Sequence, residues 1–85
     1  MDDVTTGSGT VGEQLRAERE AQGISLEDVA SRTRIPTRHL ESLENSDWSR
    51  LPAPTYTIGF AKSYAGVVGL DRNAIAEALR IEMGA

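Results

Sequence analysis

The sequence contains no cysteine and a single histidine, His39. It therefore has no disulfide framework and no thiolate metal site, and one imidazole cannot build a metal cluster alone. A Ser/His/Asp set and a glycine-rich phosphate loop are also missing. We expect no metal and no other cofactor, and we predict that the chain is not an enzyme.

Long apolar runs are missing as well, since no stretch approaches the roughly 20 residues of a membrane-spanning helix, and no signal peptide is visible. Positive charge is in deficit: the net charge is −4 and the sequence pI is about 4.8. Proteins that bind DNA usually carry a basic face, because phosphate neutralisation supplies much of their affinity. The charge therefore argues against strong DNA binding, although it leaves room for a local basic patch.

The most informative stretch runs from Ser25 to Glu44 and holds two short helical patterns separated by a tight break. Ser25 is a good helix N-cap, with Asp28 at the N3 position. Pro36 restricts Ile35 to an extended conformation and suits the start of a second helix. Leu40 and Leu43 give that second helix an apolar stripe. This pattern predicts a helix-turn-helix in which Ile35 fills the corner.

The rest of the chain extends this unit to an all-α, five-helix bundle. Residues 1–10 are rich in Gly, Ser, Thr and Asp, and we expect a disordered tail there. The domain is predicted over 11–83. Its helices are expected at about 11–22, 26–33, 37–45, 54–68 and 72–83. Trp48 stands in the loop before the fourth helix, where we expect it to cover the small core.

Arg19 is a charged residue on the apolar side of the first predicted helix, four residues after Leu15. A charge at such a position needs a partner, and Glu44 at the end of the third helix is a candidate. The alternative is a solvated arginine whose aliphatic stem covers the edge of the core. Spacing alone leaves both interpretations open.

The fourth predicted helix has an apolar arc of roughly 200°, wider than the arc of about 100° that one core requires. One side, with Ala61, Ala65 and Val68, has the spacing of a core face. The other side holds Tyr56, Phe60 and Tyr64. These aromatics either pack under the fifth helix or form an exposed patch for a partner. Gly59 lies within the helix, which indicates either a close approach of another backbone or a tolerated imperfection of the helix.

The second helix of the helix-turn-helix would offer Thr37, Arg38 and Ser42 to a DNA groove, with Arg34 near the phosphates. The segment from Ser25 to Asn45 contains three Arg against four acidic residues. It also lacks an Asn or Gln placed for bidentate adenine recognition. Three interpretations of the arginines remain open: a solvated face, a contact with a protein partner, or a contact with nucleic acid.

Residues 11–71 resemble the cytoplasmic helix-turn-helix domain of RodZ-type bacterial cell-shape proteins. The resemblance rests on LRAERE before Gly23, on SLEDVA, and on the segment from Leu51 through Tyr56, Gly59-Phe60 and Tyr64-Ala65 to Asp71. The first three helices also resemble phage-repressor DNA-binding domains. That second likeness implies the ion pair between Arg19 and Glu44.

The resemblance to RodZ implies an interaction module that docks on MreB, the bacterial actin, in cell-shape control. It implies partner contacts at Phe60 and Tyr64 of the fourth helix, with Tyr56 and Lys62 as further candidates. It also implies a cytoplasmic domain at the inner face of the membrane, anchored through a segment that these 85 residues lack. The alternative is a transcriptional regulator that binds DNA through Thr37, Arg38, Ser42 and Arg34.

Overall fold

A computed structural model describes residues 9–84. This part of the chain folds into five α-helices and has no strand, which confirms the predicted all-α helix-turn-helix architecture. The helices are α1 (Val11–Ala21), α2 (Leu26–Thr33), α3 (Thr37–Glu44), α4 (Pro54–Val68) and α5 (Arg72–Glu82). A 3₁₀ turn, Trp48–Arg50, occupies the predicted loop between α3 and α4. Residues 1–8 of the predicted tail lie outside the described residues.

Polar side chains fix where three of the helices begin. The Thr10 hydroxyl accepts from the backbone N–H of Glu13 at 3.1 Å, and the Glu13 carboxylate accepts from the Thr10 N–H at 3.0 Å. This reciprocal pair is a capping box. Ser25 accepts from the N–H of Asp28, and Asp71 accepts from the N–H of Ala74, both at 3.0 Å. Each bond satisfies a backbone donor that the first helical turn leaves free.

The turn between α2 and α3 depends on one arginine in an unusual conformation. Arg34 is left-handed, with φ of +62°, and its N–H closes α2 on the carbonyl of Ala30. Ile35 then turns inward and is 5% exposed, so it fills the corner as expected. Pro36 precedes the first residue of α3. The left-handed residue reverses the chain within three positions, which brings α3 against α2.

The core is built around α4, which packs against each of the other four α-helices. Its large, fully buried side chains come from every α-helix. They are Val11, Leu15, Val29, Leu40, Leu43, Tyr64 and Leu79. Trp48 is half-buried and packs against the edge of this cluster. The position of α4 at the centre explains its wide apolar arc, because it meets neighbours on more than one side.

The glycine that allows close backbone approach is Gly12 rather than Gly59. A Cβ on Gly59 would meet no atom within 4 Å, so the expectation of a tight contact there is wrong. A Cβ on Gly12 would instead overlap the backbone carbonyls of Leu43 and Glu44. α1 therefore crosses the end of α3 at a distance that only glycine permits. This crossing places the side chains of α1 beside Glu44.

Candidate interaction surface

Three residues on one side of α4 and at the start of α3 form a surface that we call the aromatic patch: Tyr56, Phe60 and His39. Tyr56 is 63% exposed, whereas the other tyrosine, Tyr64, is fully buried. The ring of Phe60 is half-buried and stacks on the His39 imidazole, with centroids 5.6 Å apart and planes inclined by 22°. Lys62 is exposed on the same helix. The patch joins α4 to the first turn of α3.

His39 is the member of this patch that the sequence did not assign to it. The sequence gives no sign that the imidazole stacks on Phe60, because the two residues are 21 positions apart and belong to different helices. Nδ1 of His39 is buried and has no hydrogen-bond partner among residues 9–84. The imidazole covers one face of the Phe60 ring, which also packs against the edge of the core.

Tyr64 does not belong to the exposed surface, so its assignment as a partner contact is wrong. Its side chain is fully buried. The hydroxyl donates to Oε2 of Glu44 and accepts from Nε of Arg19 at 3.1 Å. Position 64 lies four residues after Phe60, and the extra 40° of rotation turns it towards α1 and α3. The helical spacing places Phe60 and Tyr64 on one side of α4, whereas the boundary between core and surface runs between them.

Arg19 and Glu44 form the ion pair that was one of the two expected arrangements. Nε of Arg19 lies 3.0 Å from Oε2 of Glu44, and the side chains are only 13% and 7% exposed. Nη1 of Arg19 also donates to the carbonyl of Ile24 at 3.0 Å. Burial, followed by the hydrogen bond to Glu44, raises the pKa of Tyr64 above its ordinary value of 10.0. The three polar groups therefore form one internal network that joins α1, α3 and α4.

The candidate DNA-contacting residues of α3 divide in the same way. Arg34 and Arg38 are exposed and Thr37 is half-buried. Ser42 is only 7% exposed, and its hydroxyl donates to the Arg38 carbonyl at 3.0 Å. Its assignment as a groove contact is therefore wrong, because the side chain bonds back to its own helix. Arg34 and Arg38 remain the cations that a nucleic acid can reach on this side.

Arg38 borders a shallow cleft of about 360 Å³ that lies between α3 and the 3₁₀ turn. The lining side chains include Glu41 and Arg50. Arg50 pairs with Asp47 at 3.2 Å. The cleft thus mixes both charges. Within residues 9–84, no helix is long and apolar enough to cross a bilayer, and no group of three or more His, Cys, Asp or Glu is placed to hold a metal ion.

Comparison with solved structures agrees with this geometry. The domain superposes on YmfM, a candidate DNA-binding membrane protein from Staphylococcus aureus, with a TM-score of 0.81 and 36% sequence identity. The match covers 87% of this chain and 90% of the other. The shared fold is therefore that of an entire helix-turn-helix domain.

Comparison with curated proteins gives two further relatives. The cytoskeleton protein RodZ of Streptococcus pneumoniae is 42% identical over 69 residues, which is 81% of this chain. The uncharacterized membrane protein YmfM of Bacillus subtilis is 37% identical over 54 residues, or 64% of this chain. The chain spans only 25% and 19% of the length of these two proteins.

A family model described as a helix-turn-helix domain matches residues 14–75. The match runs from the first turn of α1 to the first turn of α5, so it includes the helix-turn-helix, the aromatic patch and all of α4. The chain belongs to this helix-turn-helix family, and its domain is of the RodZ type.

Proposed function

We propose that the domain is a non-enzymatic interaction module that docks on MreB-like actin filaments and acts in cell-shape control. The observation that carries the proposal is the aromatic patch, in which Tyr56 is 63% exposed although α4 is otherwise the central helix of the core. The likeness of the chain to the cytoskeleton protein RodZ supports the choice of partner.

The chemistry of the patch suits a protein surface. Tyrosine and phenylalanine are enriched in the contacts that carry most binding energy, because they combine a large apolar area with few rotatable bonds. Phe60 is already held in place by His39, so little side-chain entropy is lost when a partner covers it. Lys62 is exposed on the same helix, but two residues after Phe60 it lies on a different side of α4, so its positive charge would act only beside the patch.

The proposal is tested by titrating the domain against polymerised MreB. Tyr56→Ala is the cleaner variant, because the side chain is exposed and its removal leaves the core intact. We expect it to weaken binding about tenfold, which corresponds to about 1.4 kcal/mol. Phe60→Ala should weaken binding further, and circular dichroism should confirm that each variant remains helical.

Ile81→Ala is a matched control for the loss of an exposed apolar side chain. Ile81 is 71% exposed and lies two residues after the buried Leu79, on the outer side of α5. We expect it to bind like the wild type. If Tyr56→Ala and Phe60→Ala bind as tightly as the Ile81→Ala control, the aromatic patch is not the docking site.

In this role the domain would lie in the cytoplasm, at the inner face of the membrane, as part of a longer protein. The name of the Bacillus subtilis relative describes a membrane protein, and this chain spans only 19% of its length. A fusion of the domain to a fluorescent protein should follow the filaments in cells, because the proposed docking surface lies within the domain.

DNA binding is a second candidate function, favoured by the likeness to the Staphylococcus aureus protein and by the exposure of Arg34 and Arg38. Thr37 stands beside them at the start of α3. This alternative predicts duplex binding that weakens steeply with salt and that Arg38→Gln reduces. Arg80→Gln, on the outer side of α5, is the control for a lost charge. Equal duplex affinity for Arg38→Gln and Arg80→Gln would exclude α3 as the DNA-recognition helix.

A further inference from the structure

A second polar cleft lies between α2, α4 and α5, and none of its lining residues belongs to α3. Its volume is about 450 Å³. Arg32 stands on one wall and Arg72 on another, with Ser63, Gly66 and Val67 of α4 between them. The cleft therefore presents two guanidinium groups and one hydroxyl towards the same space.

The position of Arg72 depends on the glycine beneath it. A Cβ on Gly66 would lie only 2.6 Å from Nε and 2.8 Å from Cζ of Arg72. The guanidinium thus rests against α4 at a position that any larger residue would block. No carboxylate within residues 9–84 lies within 4.0 Å of it, because none of the ion pairs there includes Arg72. Among the residues that the structure describes, its charge has no carboxylate partner and can meet an external group.

Arg32 is fixed in a different way. Its Nη2 pairs with Asp28 at 2.9 Å, one turn earlier on α2, and both side chains remain about half exposed. An exposed pair of this kind is weak and leaves further guanidinium donors unoccupied. Thr33 is not available, since its hydroxyl already donates to the Val29 carbonyl at 2.8 Å. Ligand recognition in the cleft therefore falls to Arg72, Arg32 and Ser63.

The cleft continues the side of α4 that carries the aromatic patch. Phe60, Ser63 and Val67 follow one another at intervals of three and four residues, so they lie in one row along the helix. Phe60 stacks on α3 at one end of the row, and Val67 lines the cleft at the other. The two residues are seven positions apart, which corresponds to about 10 Å of helix. A single partner segment can span both.

We propose that this cleft binds a carboxylate of the same protein partner that covers the aromatic patch. The docking segment would then carry an apolar group over Phe60 and an acidic side chain about 10 Å away between Arg72 and Arg32. Charge favours a protein carboxylate over nucleic acid, since the chain carries a net −4 and the cleft excludes α3. This inference rests on the proposed function and names the chemistry of its partner.

The test is a titration against polymerised MreB at low and at moderate salt, with two matched pairs of variants. Arg72→Gln is compared with Arg80→Gln, which removes the same charge from the outer side of α5, where Arg80 pairs with Glu77. Gly66→Ala is compared with Gly59→Ala, because only the first methyl group would displace Arg72. We expect Arg72→Gln to weaken binding about fivefold and to flatten its salt dependence. Gly66→Ala should weaken binding about threefold by the same route.

Three results would overturn the inference. If Arg72→Gln binds as Arg80→Gln does while Phe60→Ala loses binding, the cleft has no part in docking but the proposed function stands. If the wild type does not bind filaments, the proposed function fails and the inference fails with it. If Arg72→Gln weakens duplex DNA binding and leaves filament binding unchanged, the cleft serves nucleic acid instead.

Discussion

Arg19 and Glu44 stand 25 positions apart in the sequence, and their side chains meet with Nε 3.0 Å from Oε2 inside the helical bundle. Glu44 is the last residue of α3 and Arg19 belongs to the last turn of α1. The pair thus fixes the end of the helix-turn-helix against the first helix, and the Tyr64 hydroxyl ties α4 to the same two groups. A partner that docks on α4 therefore meets a surface with a rigid base.

Breaking this pair should be costly because the surviving charge would remain buried. We expect Glu44→Gln to lower the free energy of unfolding by about 3 kcal/mol. Removing both charges, as in Arg19→Met with Glu44→Leu, should cost much less than the sum of the single changes. Urea denaturation measures each value. The exposed Arg16–Glu20 pair, at 3.2 Å, is the control, and Arg16→Gln should change the stability by less than about 1 kcal/mol.

Alkaline pH should weaken the fold through Tyr64. Burial, and then the Glu44 carboxylate, hold the pKa of Tyr64 above the value of 10.0 that it has in the unfolded chain. The folded state therefore keeps its phenolic proton more tightly than the unfolded state does. Its contribution to stability is complete below about pH 10 and is lost as the pH rises towards the folded pKa.

This loss can be assigned to one residue, because the chain has only two tyrosines. In Tyr56→Phe, the ultraviolet absorbance of tyrosinate reports Tyr64 alone, and it should appear only at strongly alkaline pH or on unfolding. Tyr64→Phe should be less stable at neutral pH but should lose less stability between neutral and alkaline pH. A Tyr64 that titrates in the folded protein with an ordinary pKa would contradict the buried network.

The same substitution, Gly→Ala, should change the stability of the fold in opposite directions at two glycines. Gly59→Ala adds a methyl group to open space on an exposed helical position, and we expect a gain of about 1 kcal/mol from helix propensity. Gly12→Ala places its methyl group against the backbone of Leu43 and Glu44, which cannot move as a side chain can. We expect a loss of about 2 kcal/mol from overpacking. Thermal denaturation of the two variants checks both signs, and a stabilised Gly12→Ala would disprove the close crossing of α1 and α3.

Two substitutions at Arg34 should have different effects on stability but the same effect on DNA binding. Its φ of +62° lies in the left-handed region, which glycine adopts more readily than arginine. Arg34→Gly should therefore raise the free energy of unfolding by about 1 kcal/mol. Arg34→Ala removes the same charge without relieving the backbone and should not be stabilised. If the DNA alternative holds, both variants should bind duplex DNA less tightly by a similar factor.

Local signals were sufficient to locate the helices. The caps at Thr10, Ser25 and Asp71 each bond to a backbone N–H three residues later, so such helix starts can be predicted from local sequence. The observed helices end at most one residue earlier than expected. Ile35 was also predictable, because Pro36 and the apolar spacing on both sides leave it the corner position.

The partition of α4 between core and surface was not predictable from the helix itself. Tyr64 and Phe60 differ by only 40° on the wheel, and what separates them is the polar network formed by Arg19 and Glu44 from two other helices. In the same way, Ser42 is buried with its hydroxyl bonded to the Arg38 carbonyl, and His39 joins the patch through a stack on Phe60. Such pairings depend on contacts between helices, which the apolar periodicity of one helix does not predict.

Tyr56 provides the most direct test of the central claim, because its exposed ring can be removed without touching the core or the buried network. The measurement is the affinity of Tyr56→Ala for polymerised MreB, beside the wild type and Ile81→Ala and with duplex DNA titrated in parallel. The proposed docking on the aromatic patch predicts about tenfold weaker filament binding for Tyr56→Ala alone. Filament binding by Tyr56→Ala equal to that of Ile81→Ala would contradict it, and tight, sequence-selective DNA binding by all three proteins would favour the DNA alternative.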